Sequence, residues 1–226
     1  MRSRALFLLA SLALPMSALS ADKAVEDLLA KMRKAYSSAK SVKLGVTSLM
    51  ASELGEQELT VELMYVKPNM VAARVLGIPQ AGKEGIQWRS DGKTIQWDSL
   101  EGKKSAAWTV RQAEQVAFAV NLETLNFWDW KRQLSTATGG NMKKSTFRLL
   151  AKETYQNKDY MVLEETAKEQ QVFVRYFIDP KTYFIKRTRV ERLDTKDLIM
   201  DCKITKFELN AKVDPKVFKI EPGKKI

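Results

Sequence analysis

From Glu58 to Tyr65 the chain alternates at period two. Leu59, Val61, Leu63 and Tyr65 fall on one side, and Glu58, Thr60, Glu62 and Met64 on the other. Alternation of this kind is the signature of a β-strand with one face turned to a core. Turn signals recur at hairpin spacing. Ser90, Asp91, Gly92, Lys93 separates two alternating runs, and Glu101, Gly102 follows soon after. Glycine after aspartate suits a primed turn, because glycine takes positive φ without a Cβ clash. Asp179, Pro180, Lys181 predicts a tight turn between runs over Gln171 to Ile178 and Tyr183 to Leu193, with Asn157, Lys158, Asp159 and Asp194, Thr195, Lys196 as further connections. The pattern predicts roughly nine to eleven strands of a large antiparallel sheet.

Two regions break the alternation. Val25, Leu28, Leu29, Met32 and Tyr36 recur at spacings of three and four, predicting an amphipathic helix over Lys23 to Ser38 with Asp22 as its N-cap. Val110 to Leu134, bounded by Gly139 and Gly140, predicts one or two short helices that carry the aromatic cluster Phe127, Trp128, Trp130. The fold class is therefore α+β, a curved sheet with helices over one face. Apolar side chains left in water on the concave side are unfavourable by about 25 cal/mol per Å², so helices must close over them. An imperfectly packed lid leaves an apolar cavity suited to an acyl chain or an apolar peptide.

The first residues read as a targeting segment. Arg2 and Arg4 precede the apolar run Ala5 to Leu14, and Ala18, Ser20 and Ala21 offer small residues for cleavage. This predicts a secretory signal peptide over residues 1–21 and a mature single domain over 22–226. Without Arg2 and Arg4, 36 basic side chains face 27 acidic ones, a balance of +9. The lysines recur singly instead of forming an aromatic-interleaved stripe, which argues against nucleic acid and suits a solvated surface or anionic lipid. Cys202 is the only cysteine, so no internal disulfide forms, and its place beside Leu198, Met200 and Ile204 at period two marks it as a small buried hydrophobe rather than a nucleophile.

Catalytic signals are sparse. The chain has no histidine, hence neither the commonest general base nor the commonest zinc ligand. Glu164 and Glu165 are adjacent, so a strand sends them to opposite faces. Neither a phosphate-cradling glycine loop nor a GxSxG elbow is present. These features predict a non-enzymatic protein without cofactor or metal.

The stretch Met64 to Asn69, MYVKPN, followed by SDGKTIQW at Ser90 to Trp97, resembles the early strands of the periplasmic outer-membrane lipoprotein carrier (LolA-like) superfamily. The closing VDPKVFKIEPGKKI, from Val213 to Ile226, is similar to that superfamily's last segment, an apolar phenylalanine strand followed by a proline. The resemblance implies an unclosed β-barrel, a LolA-like half-barrel with an N-terminal helix and a central helical lid. It further implies a monomeric periplasmic carrier or chaperone of lipoprotein acyl chains or another lipid, sorting cargo to the outer membrane with transient membrane-complex partners. Related folds also serve as envelope-stress sensors that bind peptides or lipoproteins, which is the alternative reading. In the resembled carriers an arginine precedes the Pro-Asn pair and contributes to lid closure. Lys67 stands there, keeping the charge and losing the planar fork. Cavity and lid candidates are Leu63, Tyr65, Lys67, Met70, Trp97, Phe127, Trp128, Met161 and Phe177.

Overall fold

The computed structural model describes residues 16–52, 55–67, 70–77, 85–99, 105–109 and 145–220. The predicted central helices, with Phe127 and Trp128, lie outside these residues, as do the Glu101, Gly102 connection and the Pro68, Asn69 pair. Helix α1 runs Met16–Ser38, followed by strands β1 Ser41–Ser52, β2 Gly55–Val66, β3 Met70–Leu76, β4 Ile86–Asp91, β5 Thr94–Ser99 and β6 Ser105–Thr109. The second half carries β7 Thr146–Leu149, β8 Glu153–Tyr155, β9 Lys158–Ala167, β10 Val172–Ile178, β11 Ile185–Arg192 and β12 Leu198–Leu209. Twelve strands among the described residues exceed the nine to eleven expected, and the excess includes the three-residue β8.

All pairings are antiparallel, in the order β6-β5-β4-β3-β2-β1-β12-β11-β10-β9-β7, with β8 attached to β9. The outer strands β6 and β7 do not pair with each other among the described residues, so the sheet curves without closing. The central seam joins β1 to β12, the first strand to the last, with a bulge between Gly45 and Val46. Predicted turns form as their residues require. Gly92 takes φ +94°, and Asp91 accepts hydrogen bonds from the Lys93 and Thr94 amides at 2.9 Å. Those bonds hold the Asp91 carboxyl below its usual range. Gln156 and Asn157 both have positive φ between β8 and β9, the geometry of a two-residue primed hairpin.

Two elements differ from expectation. Helix α1 begins at Met16 rather than Lys23, and Asp22 lies inside it. Met16 to Ala21 contain alanine, leucine and methionine without glycine or proline, so helix propagates through them. Phe218, expected in a strand, sits instead in a 3₁₀ turn over Pro215–Phe218. Asp214 caps that turn by accepting from the Lys216 amide at 2.9 Å, and Pro215 presets φ at its first position. Phe218 is buried against β3 and β4.

The convex face is ionic. Glu164 accepts from Arg148 at 2.6 Å and from Arg175 at 3.2 Å, Arg187 grips both oxygens of Asp201 at 2.8 Å, and Lys203 adds a contact at 3.2 Å. Burial would raise the Asp201 carboxyl, but hydrogen bonds from Arg187 and Lys203 outweigh it and hold the group below its ordinary value. A carboxyl depressed by folding stabilises above its unfolded pKa, and that contribution disappears as pH falls through the folded pKa. Asp201→Asn is expected to lower stability at pH 7 and to flatten its loss below about pH 4, read as urea midpoints across the acid limb. Gly77 has φ +88°, and a Cβ there would meet the Glu58 carbonyl oxygen. Gly77→Ala is expected to destabilise by more than about 1 kcal/mol in the same urea assay.

Candidate functional site

Register places one apolar row after another on the concave face. On β1 these are Val42, Leu44, Val46, Ser48 and Met50, opposite Tyr65, Leu63, Val61, Leu59 and Gln57 of β2. On the other side of β1 lie Leu209, Phe207, Ile204, Cys202 and Met200 of β12. Beyond β12 the surface continues through Thr188 and Val190 of β11, Val174 and Tyr176 of β10, and Leu163 of β9. The β1 row from Val42 to Met50 spans roughly 27 Å at the rise of a strand.

Helix α1 covers part of this trough. Its buried face, Val25, Leu28, Met32 and Tyr36, packs into the same core as Val42, Leu63, Tyr65 and Tyr176. Tyr36 stacks on Phe184 with centroids 4.6 Å apart, and burial pushes its hydroxyl far above the ordinary range. Burial then falls off along β1 and β2, whereas the β12 row is half-buried from Met200 to Phe207 and Leu209 at its end is exposed. Tyr65 is 0% and Leu63 2% exposed, whereas Leu59, Met50, Met200, Cys202 and Ile204 are only half-buried. Those five residues form an accessible apolar strip along β2, β1 and β12. Cys202 lies 3.0 Å from the Ser48 hydroxyl within it.

Three polar features mark the trough. Glu165, fully buried between Val174 and Phe147 in the register, accepts from the Tyr176 hydroxyl at 2.6 Å and the Ser145 hydroxyl at 2.5 Å. Its neighbour Glu164 points to the convex arginines, so the two carboxylates occupy opposite faces. Lys186 lies 3.0 Å from the centroid of the Phe207 ring, and burial pulls its ammonium down to about 8 although Asp179 opposes the shift. Lys67 sits at the closed end. Its ammonium donates to the Ser37 carbonyl at 2.5 Å and the Tyr36 carbonyl at 3.3 Å, while its amide donates to the Lys40 carbonyl at 3.0 Å. The last turn of α1 carries no basic residue of its own, so Lys67 supplies the cation that the helix C-terminus favours. No cluster of three potential metal ligands occurs among the described residues.

The sequence candidates therefore separate. Leu63, Tyr65 and Met161 lie on the concave face, Met161 opposite Ile178. Trp97 takes the register position facing Trp88. Met70, expected in the cavity, falls on the convex side, because its neighbour Val71 is the partner of Tyr65. Phe177, also expected there, belongs to a separate convex cluster with Tyr160 and Val162, under the Arg187 guanidinium at 5.1 Å. Phe127 and Trp128 are outside the described residues. Glu165 is absent from the sequence candidates, though it is the one acidic residue in the concave series Met161, Leu163, Glu165, Ala167.

No family model matches the sequence, and no curated protein is similar to it in sequence. Solved structures are similar in fold. An uncharacterized conserved protein from Thermus thermophilus superposes with a TM-score of 0.56 at 10% identity, covering 88% of this chain and 95% of that one. MucB gives 0.55 at 14% identity over 88% of this chain and 64% of its own. In the Pseudomonas aeruginosa MucA/MucB complex the TM-score is 0.50 at 14% identity, over 88% and 61% of the two chains. The Mycobacterium tuberculosis lipoprotein LppX gives 0.52 at 10% identity, over 85% and 98%. The chain thus shares the fold of these structures, an open antiparallel half-barrel, and at these identities the likeness extends to fold alone.

Lys67→Met is expected to destabilise by about 1 kcal/mol through loss of the helix-end cation, with Lys67→Arg restoring most of it. Urea unfolding of the three proteins measures the difference.

Proposed function

We propose that the protein is an exported, non-enzymatic carrier or chaperone that holds the acyl chain of a lipoprotein, or of another lipid, in the concave trough. In this reading residues 1–21 direct export to the periplasm, and residues 22–226 act as one monomeric domain that moves cargo toward the outer membrane through transient contacts with membrane complexes. The observation that carries it is the half-buried strip of Leu59, Met50, Met200, Cys202 and Ile204 beside a helix-covered core. Water-accessible apolar surface on a rigid concave wall gains free energy from a hydrocarbon chain, at about 25 cal/mol per Å² covered. Methionine thioethers at positions 50 and 200 adapt to chains of different shape. On the trough wall Glu165 is bound by two hydroxyls, and Cys202 lies against the Ser48 hydroxyl.

A second reading is favoured by one observation: the MucA/MucB complex superposes on 88% of this chain. There the same sheet would serve as an interaction module for a polypeptide partner.

Cys202 provides the test, being the only cysteine and lying on the trough wall. Saturating palmitate or a palmitoylated peptide is expected to slow its alkylation by a maleimide at least about fivefold, as a ligand covering the strip would. An unchanged rate with both ligands overturns the carrier reading.

A further inference from the structure

Beyond the Met50–Met200 pair lies a groove between the β9–β10 and β11–β12 hairpin tips. This groove, about 600 Å³ in volume, has Val172, Leu198 and Ile199 among its lining, and Arg192, Asp194 and Asp197 at its edge. Val172 and Ile199 also pack against the concave core, so trough and groove share a wall. Backbone bonds fix the charged edge. The Arg192 amide donates to the Asp197 carbonyl at 2.9 Å, the Lys196 amide donates to the Arg192 carbonyl at 3.2 Å, and the Asp194 side chain accepts from the Thr195 amide at 2.8 Å.

The charges here are used differently from those on the convex face. Glu164, Glu191 and Asp201 are each held by an arginine, whereas Arg192, Asp194 and Asp197 form no ion pair among the described residues. One guanidinium and two carboxylates, all solvent-exposed, thus share the groove with the side-chain amides of Gln170 and Gln171 and with the apolar Val172, Leu198 and Ile199. A guanidinium fork matches phosphate oxygens, and a carboxylate pair attracts an ammonium. An anionic head group satisfies only Arg192. A head group carrying both charges satisfies the whole edge.

Resting on the carrier reading, we infer that the groove takes the zwitterionic head group of a phosphoethanolamine-type lipid, its phosphate toward Arg192 and its ammonium toward Asp194 and Asp197, with the acyl chain in the trough. The head group stays wet, so its effect is a preference of about fivefold, the scale of exposed ion pairs, added to the affinity of the chain.

Cys202 alkylation in the full chain separates the two readings. Palmitoyl lysophosphatidylethanolamine, palmitoyl lysophosphatidylglycerol and palmitate are titrated below their micelle-forming concentrations. The ethanolamine lipid is expected to protect at about fivefold lower concentration than the glycerol lipid. The double variant Asp194→Asn, Asp197→Asn should erase that preference while leaving palmitate protection unchanged, and Arg192→Gln should weaken both lysolipids. Equal protection by the two lysolipids in the unaltered protein, or a preference that survives in the double variant, overturns the groove assignment. Absence of protection by all three ligands overturns the carrier reading itself.

Discussion

A wide antiparallel sheet with an apolar concave face must find something to cover that face, and most of the molecule follows from this need. In the described residues α1 supplies one stripe of four large side chains, Val25, Leu28, Met32 and Tyr36. One helix is about 10–12 Å across, whereas neighbouring strands lie about 4.8 Å apart, so a helix shields only a few strands of such a sheet. The burial gradient from Tyr65 to Leu59 on β2 shows that burial also declines part-way along a strand. Core quality is highest beneath the helix and declines toward the hairpin tips.

The polar groups follow the same logic. On the convex face, water remains close and arginine–carboxylate ladders knit adjacent strands, as in Arg187 with Asp201 across β11 and β12. On the concave face, a buried carboxylate needs dedicated donors, and Glu165 has them in Tyr176 and Ser145. At the closed end, the peptide carbonyls that end α1 would lack partners without help, and the Lys67 ammonium reaches them from the end of β2. A residue expected to act on a ligand thus serves the architecture, anchoring the helix that forms one wall of the trough.

Much of the fold was legible in particular residues. The turns at Asp91, Gly92 and Asp179, Pro180 announced two hairpins, and the alternation of Leu59 to Tyr65 assigned β2 its faces. The two misplaced candidates show where such reading stops. Met70 opens a new strand, and passing from one strand to the next resets which face each later residue occupies. Phe177 lies in the run Val172 to Ile178, where Phe173 and Phe177 face one side and Val174, Tyr176 and Ile178 the other. Arg175 lies between those two rings and marks their side as the ionic one, but two aromatic neighbours make that side read as core as well. Glu165 is hidden from a sequence reading because a lone acidic residue in a strand ordinarily signals the solvent side.

The amino-acid order by itself settled what is local: that the chain alternates into strands, where hairpins turn, and that Glu164 and Glu165 diverge. Only the tertiary structure decided which distant segments meet. The Ser48–Cys202 contact joins residues 154 positions apart, and the Lys67–Ser37 contact joins a strand end to a helix end. Period two fixes which side chains share a face within a strand. The pairing of β1 with β12 comes from satisfying the backbone and covering the apolar face of the whole sheet at once, and no short stretch of sequence holds that condition.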